Sequence, residues 1–457
     1  MMHDSFWIDW VWADQFTALL RHGTLYPRWL PSSHGGLGSP VFYYYPPLAF
    51  YISGLLGLLG LSTYASIIAT FGAGLLASGY AMFAWLKDVA RGAARTPLAG
   101  ALLFMAAPYH LFDFYGRGAQ AEYLAIAFIP LIALAIRRAA EGRIGLLAIA
   151  YAGMILTHLP LALLTSLFLI APYGLFLAGR SPTKLGRIAL SVILGLALAA
   201  IYLIPAFALD GYRDTALLWA QPRLRAANWQ LAWPLASGVM FIVAAILLAL
   251  APLIALLFIT GKRLLAGYAA LCCLLAAGLV PGFWTLPGIE SVQFPFRMLP
   301  LAEFAIATGL AQLRWSRPLL STLASPALAL SVMFAVLYPR QPDLKIPNLA
   351  ASQPDVPENL PPGPREYSWP SRWSYPAIHR GTPALIRLSR GSFSRPGRWC
   401  APGGRFQLDR IPRRSSCPTS ARDARPGWAS PGPRKSGRCC RSWPRCYSRG
   451  SVSGPCG

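Results

Sequence analysis

Long apolar runs, each closed by a short charged or proline- and glycine-bearing segment, repeat along most of this chain. SGVMFIVAAILLALAPLIALLFIT (237–260) is the clearest. At about 1.5 Å per helical residue such a run can cross a hydrocarbon layer of about 30 Å. The pattern predicts ten spans, at 63–86, 97–111, 121–136, 144–158, 160–179, 187–207, 237–260, 264–281, 298–313 and 318–338. The segments between them alternate in character. Those at 87–95, 137–143, 180–187, 261–263 and 314–317 are basic. Those at 112–120, 210–234 and 283–297 are aromatic and carry both signs of charge. The positive-inside rule places the basic set in the cytoplasm. The mixed set, and everything after residue 339, then faces outward, and this parity holds for all ten spans.

The first 62 residues follow a different pattern. TLYPRWLPSSHGGLGSPVFYYYPPLAFY (24–51) is crowded with aromatics, prolines and glycines ahead of any full-length span. Pro46 and Pro47 set a helix start, because proline is tolerated in the first turn and not in the interior. The apolar run that follows is short, and Gly54, Gly57 and Gly60 suit close packing. An embedded, non-crossing helix over 46–62 is therefore expected, with the opening loop outside. Ile8, Trp12, Phe16 and Leu20 recur at helical spacing, which predicts an amphipathic interfacial helix over 6–21. Asp9 and Asp14 are expected on its wet face, whereas Asp4 precedes the run and is the better candidate for a specific role.

Composition supports a polytopic membrane protein: 55% of residues are hydrophobic and 13% charged. The formal charge of +24 is not spread evenly. Residues 378–457 hold 17 of the 41 basic residues, 2 of the 17 acidic ones and six of the eight cysteines. This stretch is dominated by Arg, Ser, Gly and Pro, lacks helical or strand periodicity, and reads as disordered. Its composition is what GC-rich codons give out of frame, so a frameshift near residue 380 is expected. A basic tail for anionic lipid or nucleic acid is the alternative, and no usual zinc-ligand spacing is present. MMHDSF likewise reads as a start placed downstream of the true one. Four regions result: an outward segment with amphipathic and embedded helices (1–62), a transmembrane helical domain (63–338), the start of an outward soluble region (339–377) and the basic tail (378–457).

Candidate chemistry gathers at the outward loops. GRGAQAEYLAIAFIPL (116–131) brings Arg117 and Glu122 to the start of a span. ESVQFPFRMLPLAEF (290–304) adds Glu290, Arg297 and, within the span, Glu303. A carboxylate at that depth is costly unless it meets a polar cavity or a partner. Arg117 and Arg297 present forks of donors that match phosphate oxygens, although either also suits an interfacial anchor. Glu122 also suits the positive end of a helix dipole. His158, ahead of Pro160, reads as a capping residue more than a ligand. No phosphate-cradling loop, dinucleotide fingerprint, nucleophile elbow or HExxH motif occurs in the chain.

The opening motifs carry a resemblance. His3, Asp4, Gln15, Gly23, Tyr26, Pro27, Arg28 and Trp29, followed by GLGSPVFYYYPPLAFY (36–51), resemble a family of large bacterial membrane proteins labelled "6-pyruvoyl-tetrahydropterin synthase-related". That family is itself similar to the glycosyltransferase C superfamily. APYHLFDFYGRGAQAEYLA (107–125), THLP (157–160) and FPFRML (294–299) fit it too, so the resemblance covers about residues 3–375. It implies an all-α, glycosyltransferase-C-like polytopic fold of about ten spans plus one embedded juxtamembrane helix, in a bacterial inner membrane. It also implies transfer of a sugar from a polyprenyl-phosphate donor to an acceptor on the outer face. Asp4 and Glu122 would be catalytic. His3, Arg28, Arg117, Glu290 and Arg297 would bind substrate, and a divalent metal is left open as cofactor. The bilayer and the lipid-linked donor are the expected partners, and nucleic acid is not. A non-enzymatic role in export or assembly of envelope polysaccharide, and an inactive truncated remnant, are the alternatives. Nothing in the chain offers the histidine cluster that pterin chemistry would require.

Overall fold

The structure is a computed structural model and describes residues 5–33, 38–89, 96–212, 225, 228 and 238–313, all within one compact unit of the chain. His3, Asp4, the segment 318–338, the outward segment 339–377 and the tail 378–457 lie outside the described residues. The described residues are helical, with a single isolated antiparallel bridge between Leu30 and Ser39. In chain order the helices are α1 (Phe6–Arg21), α2 (Leu48–Leu58), α3 (Thr63–Val89), α4 (Thr96–Met105), α5 (Pro108–Phe112), α6 (Gln120–Ala140), α7 (Ile144–Thr157), α8 (Leu159–Ala178), α9 (Pro182–Leu198), α10 (Ala200–Ala208), α11 (Gly238–Ile259), α12 (Arg263–Ala276) and α13 (Leu299–Leu310).

Helices form at nine of the ten expected positions, but not all are full spans. Four are long and apolar enough to cross a membrane: α3, α6, α8 and Phe241–Ile259 of α11. The pair α9–α10, bent by 68°, makes a fifth if counted as one broken span. The expected span at 97–111 is instead the ten-residue α4 followed by a break at Ala107 and the short α5, which starts on Pro108. Helices α7 and α12 are apolar but shorter than a crossing. Large apolar side chains stand exposed along the outer helices, among them Leu248 at 75% and Ile259 at 84%. An unpartnered apolar surface of this extent fits a lipid environment.

Contacts between loop regions sort the bundle into two ends. At one, Arg137 and Arg138 at the close of α6 pair with Asp88 at the close of α3. Arg187 donates to the Ala140 carbonyl there, and Lys262 to Gln312. At the other end lie the opening segment, the 113–119 turn, His158, the end of α10 and the 281–298 loop.

The opening segment forms its own apolar cluster of Phe6, Trp12, Phe16, Phe42 and Phe50, closed against Phe71 and Tyr123 of the bundle. Helix α2 has 11 residues, which makes it about 16 Å long and too short to cross. It packs on α1 through glycines: a Cβ on Gly57 would lie 2.6 Å from Thr17, and one on Gly54 would lie 2.8 Å from Leu20. One expectation for α1 is corrected. Asp14 is exposed and accepts from the Thr63 hydroxyl, but Asp9 is 2% exposed, not on a wet face. Its Oδ2 accepts from the backbone of Gln120 (3.2 Å), at a helix start where Ala119 has no side chain to offer as a cap.

Candidate functional site

Glu122 stands in the first turn of α6, and four side chains from three other segments converge on it. Arg117 Nη1 lies 2.7 Å and Arg297 Nε 2.9 Å from the same oxygen, Oε2. The Tyr109 hydroxyl donates to Oε1 at 2.5 Å. His158 directs Nε2 at Oε2 from 3.6 Å, while its Nδ1 accepts from the Leu161 backbone. An accepting Nδ1 leaves the proton of a neutral imidazole on Nε2, facing the carboxylate. Glu122, Arg117 and Arg297 are 1%, 3% and 6% exposed. Two guanidiniums that deep require compensating charge, and Glu122 supplies it.

Local structure places each member. Arg117 ends a π-helical turn, Asp113–Arg117, that Gly118 terminates in the left-handed region at φ +64°. Such turns often mark functional sites, and glycine enters that region without steric cost. Asp113 Oδ1 is 3.0 Å from Arg117 Nη1, and Oδ2 is buried with no hydrogen-bond partner. Burial, reinforced by the Glu122 charge, pushes the Asp113 carboxyl well above its ordinary range against the pull of Arg117 and Arg297.

Arg297 sits in a single 3-10 turn, Pro295–Met298. Ahead of it the Phe294 N–H donates to the Val292 carbonyl across Gln293, the one described non-glycine residue with positive φ (+67°). That geometry is a strained turn, costing on the order of 1–3 kcal/mol, and such strain collects at functional sites. Arg297 Nη1 holds it by donating to the Val292 carbonyl at 2.5 Å. Phe294 and Phe296 stack 5.1 Å apart and flank the cations, with Arg117 5.3 Å from the Phe296 ring and Arg297 4.9 Å from that of Phe294.

Two further contacts tie this end together. Glu303 Oε1 accepts from the Tyr109 backbone at 2.6 Å, capping α5, where Ala107 offers no side chain. Its Oε2 lies 3.6 Å from His110 Nδ1. The backbone N–H of Ser5 donates to the Arg117 carbonyl, so the opening segment is stitched to the site.

Of the residues expected from sequence, Arg117, Glu122 and Arg297 therefore meet, and His158 joins them. Arg28 does not. It stacks over Tyr26 at 4.3 Å and donates to the Ile201 carbonyl at 3.0 Å, apart from the Glu122 cluster. Glu290 is exposed on the Ile289–Val292 turn, with no side-chain partner among the described residues. His3 and Asp4 fall outside them. Tyr109, Asp113 and Asp9 belong to the site and were missed. The Asp113/Arg117 spacing of four was a readable helical pair, hidden by treating 112–120 as loop.

Chemically, both Glu122 oxygens are occupied by donors, which suits an orienting carboxylate better than a proton acceptor. No group of three or more His, Cys, Asp or Glu placed to hold a metal occurs among the described residues. No protein-family model, curated protein or solved structure matches the chain.

Proposed function

We propose that this chain is a membrane glycosyltransferase of the glycosyltransferase-C type. In this reading it moves a sugar from a polyprenyl-phosphate donor to an acceptor on the outer face of a bacterial inner membrane, through a ten-span fold. The observation that carries it is the convergence of Arg117 and Glu122 with Arg297, 175 residues beyond Glu122, in one buried cluster beside the opening segment. The Asp4 carboxylate takes the proton of an acceptor hydroxyl as that oxygen attacks the anomeric carbon. The bond from that carbon to the phosphate oxygen breaks, and its electron pair leaves on the phosphate. Arg117 and Arg297 stabilise the developing charge, and Glu122 holds their orientation.

The test is turnover of labelled polyprenyl-phosphate sugar by the protein in liposomes, with envelope extract as acceptor. Asp4→Asn is expected to reduce turnover by roughly 10²–10⁴-fold. Equal turnover in the variant removes Asp4 as base, and no turnover in either protein removes the reaction. A second reading, a non-enzymatic export or assembly protein, is favoured by the saturation of Glu122, which would serve equally as a keystone locking the opening segment onto the bundle.

A further inference from the structure

Glu303 is a buried carboxylate that the proposed reaction leaves unused. It stands on α13 at 2% exposure, and its one hydrogen bond among the described residues is accepted from the Tyr109 N–H at 2.6 Å. Its second oxygen faces His110 Nδ1 from 3.6 Å, too far for a hydrogen bond, and both atoms are buried without a partner. Capping α5 does not account for so costly a group. A serine in place of Ala107 would cap the helix locally, whereas Glu303 reaches Tyr109 from 194 residues away. A carboxylate buried at this depth costs more than one such cap returns.

The contact acts on a member of the Glu122 cluster. Tyr109 is fully buried, and its hydroxyl donates to Glu122 Oε1 at 2.5 Å and accepts from Arg117 Nη1 at 3.2 Å. Its ring meets Phe112 at 6.0 Å and Phe296 at 6.4 Å. A phenol is rigid from ring to oxygen, so a displaced main chain displaces the hydroxyl with it. Arg297 and Glu303 belong to one continuous stretch, because the turn Pro295–Met298 runs straight into α13. From that stretch Arg297 takes Glu122 Oε2 at 2.9 Å, and Glu303 holds the residue that takes Oε1. Both oxygens of Glu122 are thus set from a single segment.

We infer that Glu303 is a positioning residue: by tying the Tyr109 main chain to α13 it seats the Tyr109 hydroxyl on Glu122. The carboxylate so held orients Arg117 and Arg297. This deepens the transferase reading, and rests on it only for what the two guanidiniums then meet. A bare cap and a positioning residue differ in one measurable way. A cap satisfies the Tyr109 N–H whether or not the ring carries a hydroxyl. A positioning residue loses much of its effect once the hydroxyl is gone.

The experiment is a double-mutant cycle on melting temperature, with the full-length protein in detergent. Glu303→Met removes the acceptor at similar length, and Tyr109→Phe removes only the hydroxyl. E303M should lower the melting temperature in an otherwise wild-type chain roughly twice as far as in Y109F. Glu303→Gln keeps an acceptor oxygen and should melt close to wild type. Ala107→Ser supplies a local cap. It should recover nearly all of the E303M loss in Y109F, but only part of it where the hydroxyl is present. Equal E303M losses in both backgrounds, or full recovery by A107S in both, would leave Glu303 a cap and overturn the inference. A loss in E303Q as large as in E303M would overturn it too, since charge and not the hydrogen bond would then matter. If E303M does not fold, Glu303→Asp, which withdraws the carboxylate by one methylene, takes its place with the same expectations. No readout requires turnover, so the transferase reading and this inference can fail separately.

Discussion

At the scale of residues, Glu122 decides what this end of the molecule is. It could sit at a helix start merely to meet the dipole, worth about 0.3–1 kcal/mol. It is instead the counter-charge of two buried guanidiniums. Glu122→Gln keeps the shape and removes that charge, so a loss of about 3–5 kcal/mol is expected. Thermal unfolding in detergent checks this, and a loss below about 1 kcal/mol would return Glu122 to the dipole role. Arg117, Glu122 and Arg297 were legible because so few charges interrupt an apolar chain that each must be compensated. Asp9 was not legible. The amphipathic pattern assigns any carboxylate on α1 to water, and only the tertiary fold reveals the uncapped helix start at Gln120 that draws Asp9 inward.

At the scale of elements, proline explains why the opening loop is clasped to the broken span. Pro205 lies inside α10 and has no N–H for the carbonyl four residues earlier, that of Ile201. Arg28 donates to that carbonyl. The Tyr44 hydroxyl adds a bond to Leu209 at the end of the same helix. Arg28→Ala should therefore destabilise the protein by about 1 kcal/mol. Pro205→Ala restores a donor within the helix, so R28A made in that background should cost much less. Melting temperatures of the four proteins form the cycle, and additive effects would mean that Arg28 does not act through the orphaned carbonyl. Hydrophobic periodicity found a helix at each described span position, yet it could not set lengths. A break such as Ala107–Pro108, or the bend between α9 and α10, depends on which partner takes up the freed backbone groups.

At the scale of the whole molecule, the two ends differ in the kind of charge they hold. From Glu122 to Arg137 is about 22 Å along α6, roughly three-quarters of the thickness of a hydrocarbon core. One end is a buried carboxylate–guanidinium cluster walled by aromatics. At the other, Arg137, Arg138, Asp88 and Glu141 form a partly exposed network. By the positive-inside rule, the excess of Lys and Arg in the loops near that network predicts that it faces the cytoplasm. The reading of the site depends on this, because a lipid-linked sugar used outside must meet its acceptor there. Glu290 and Arg143 are both exposed and stand at opposite ends, which makes them reporters of orientation. In a background with all eight cysteines replaced by serine, Glu290→Cys should react with an impermeant maleimide on intact cells. Arg143→Cys should react only after the membrane is opened. The reverse pattern would put Arg117, Glu122 and Arg297 on the cytoplasmic side. Transfer to an outer-face acceptor would then be untenable, whatever the cluster binds.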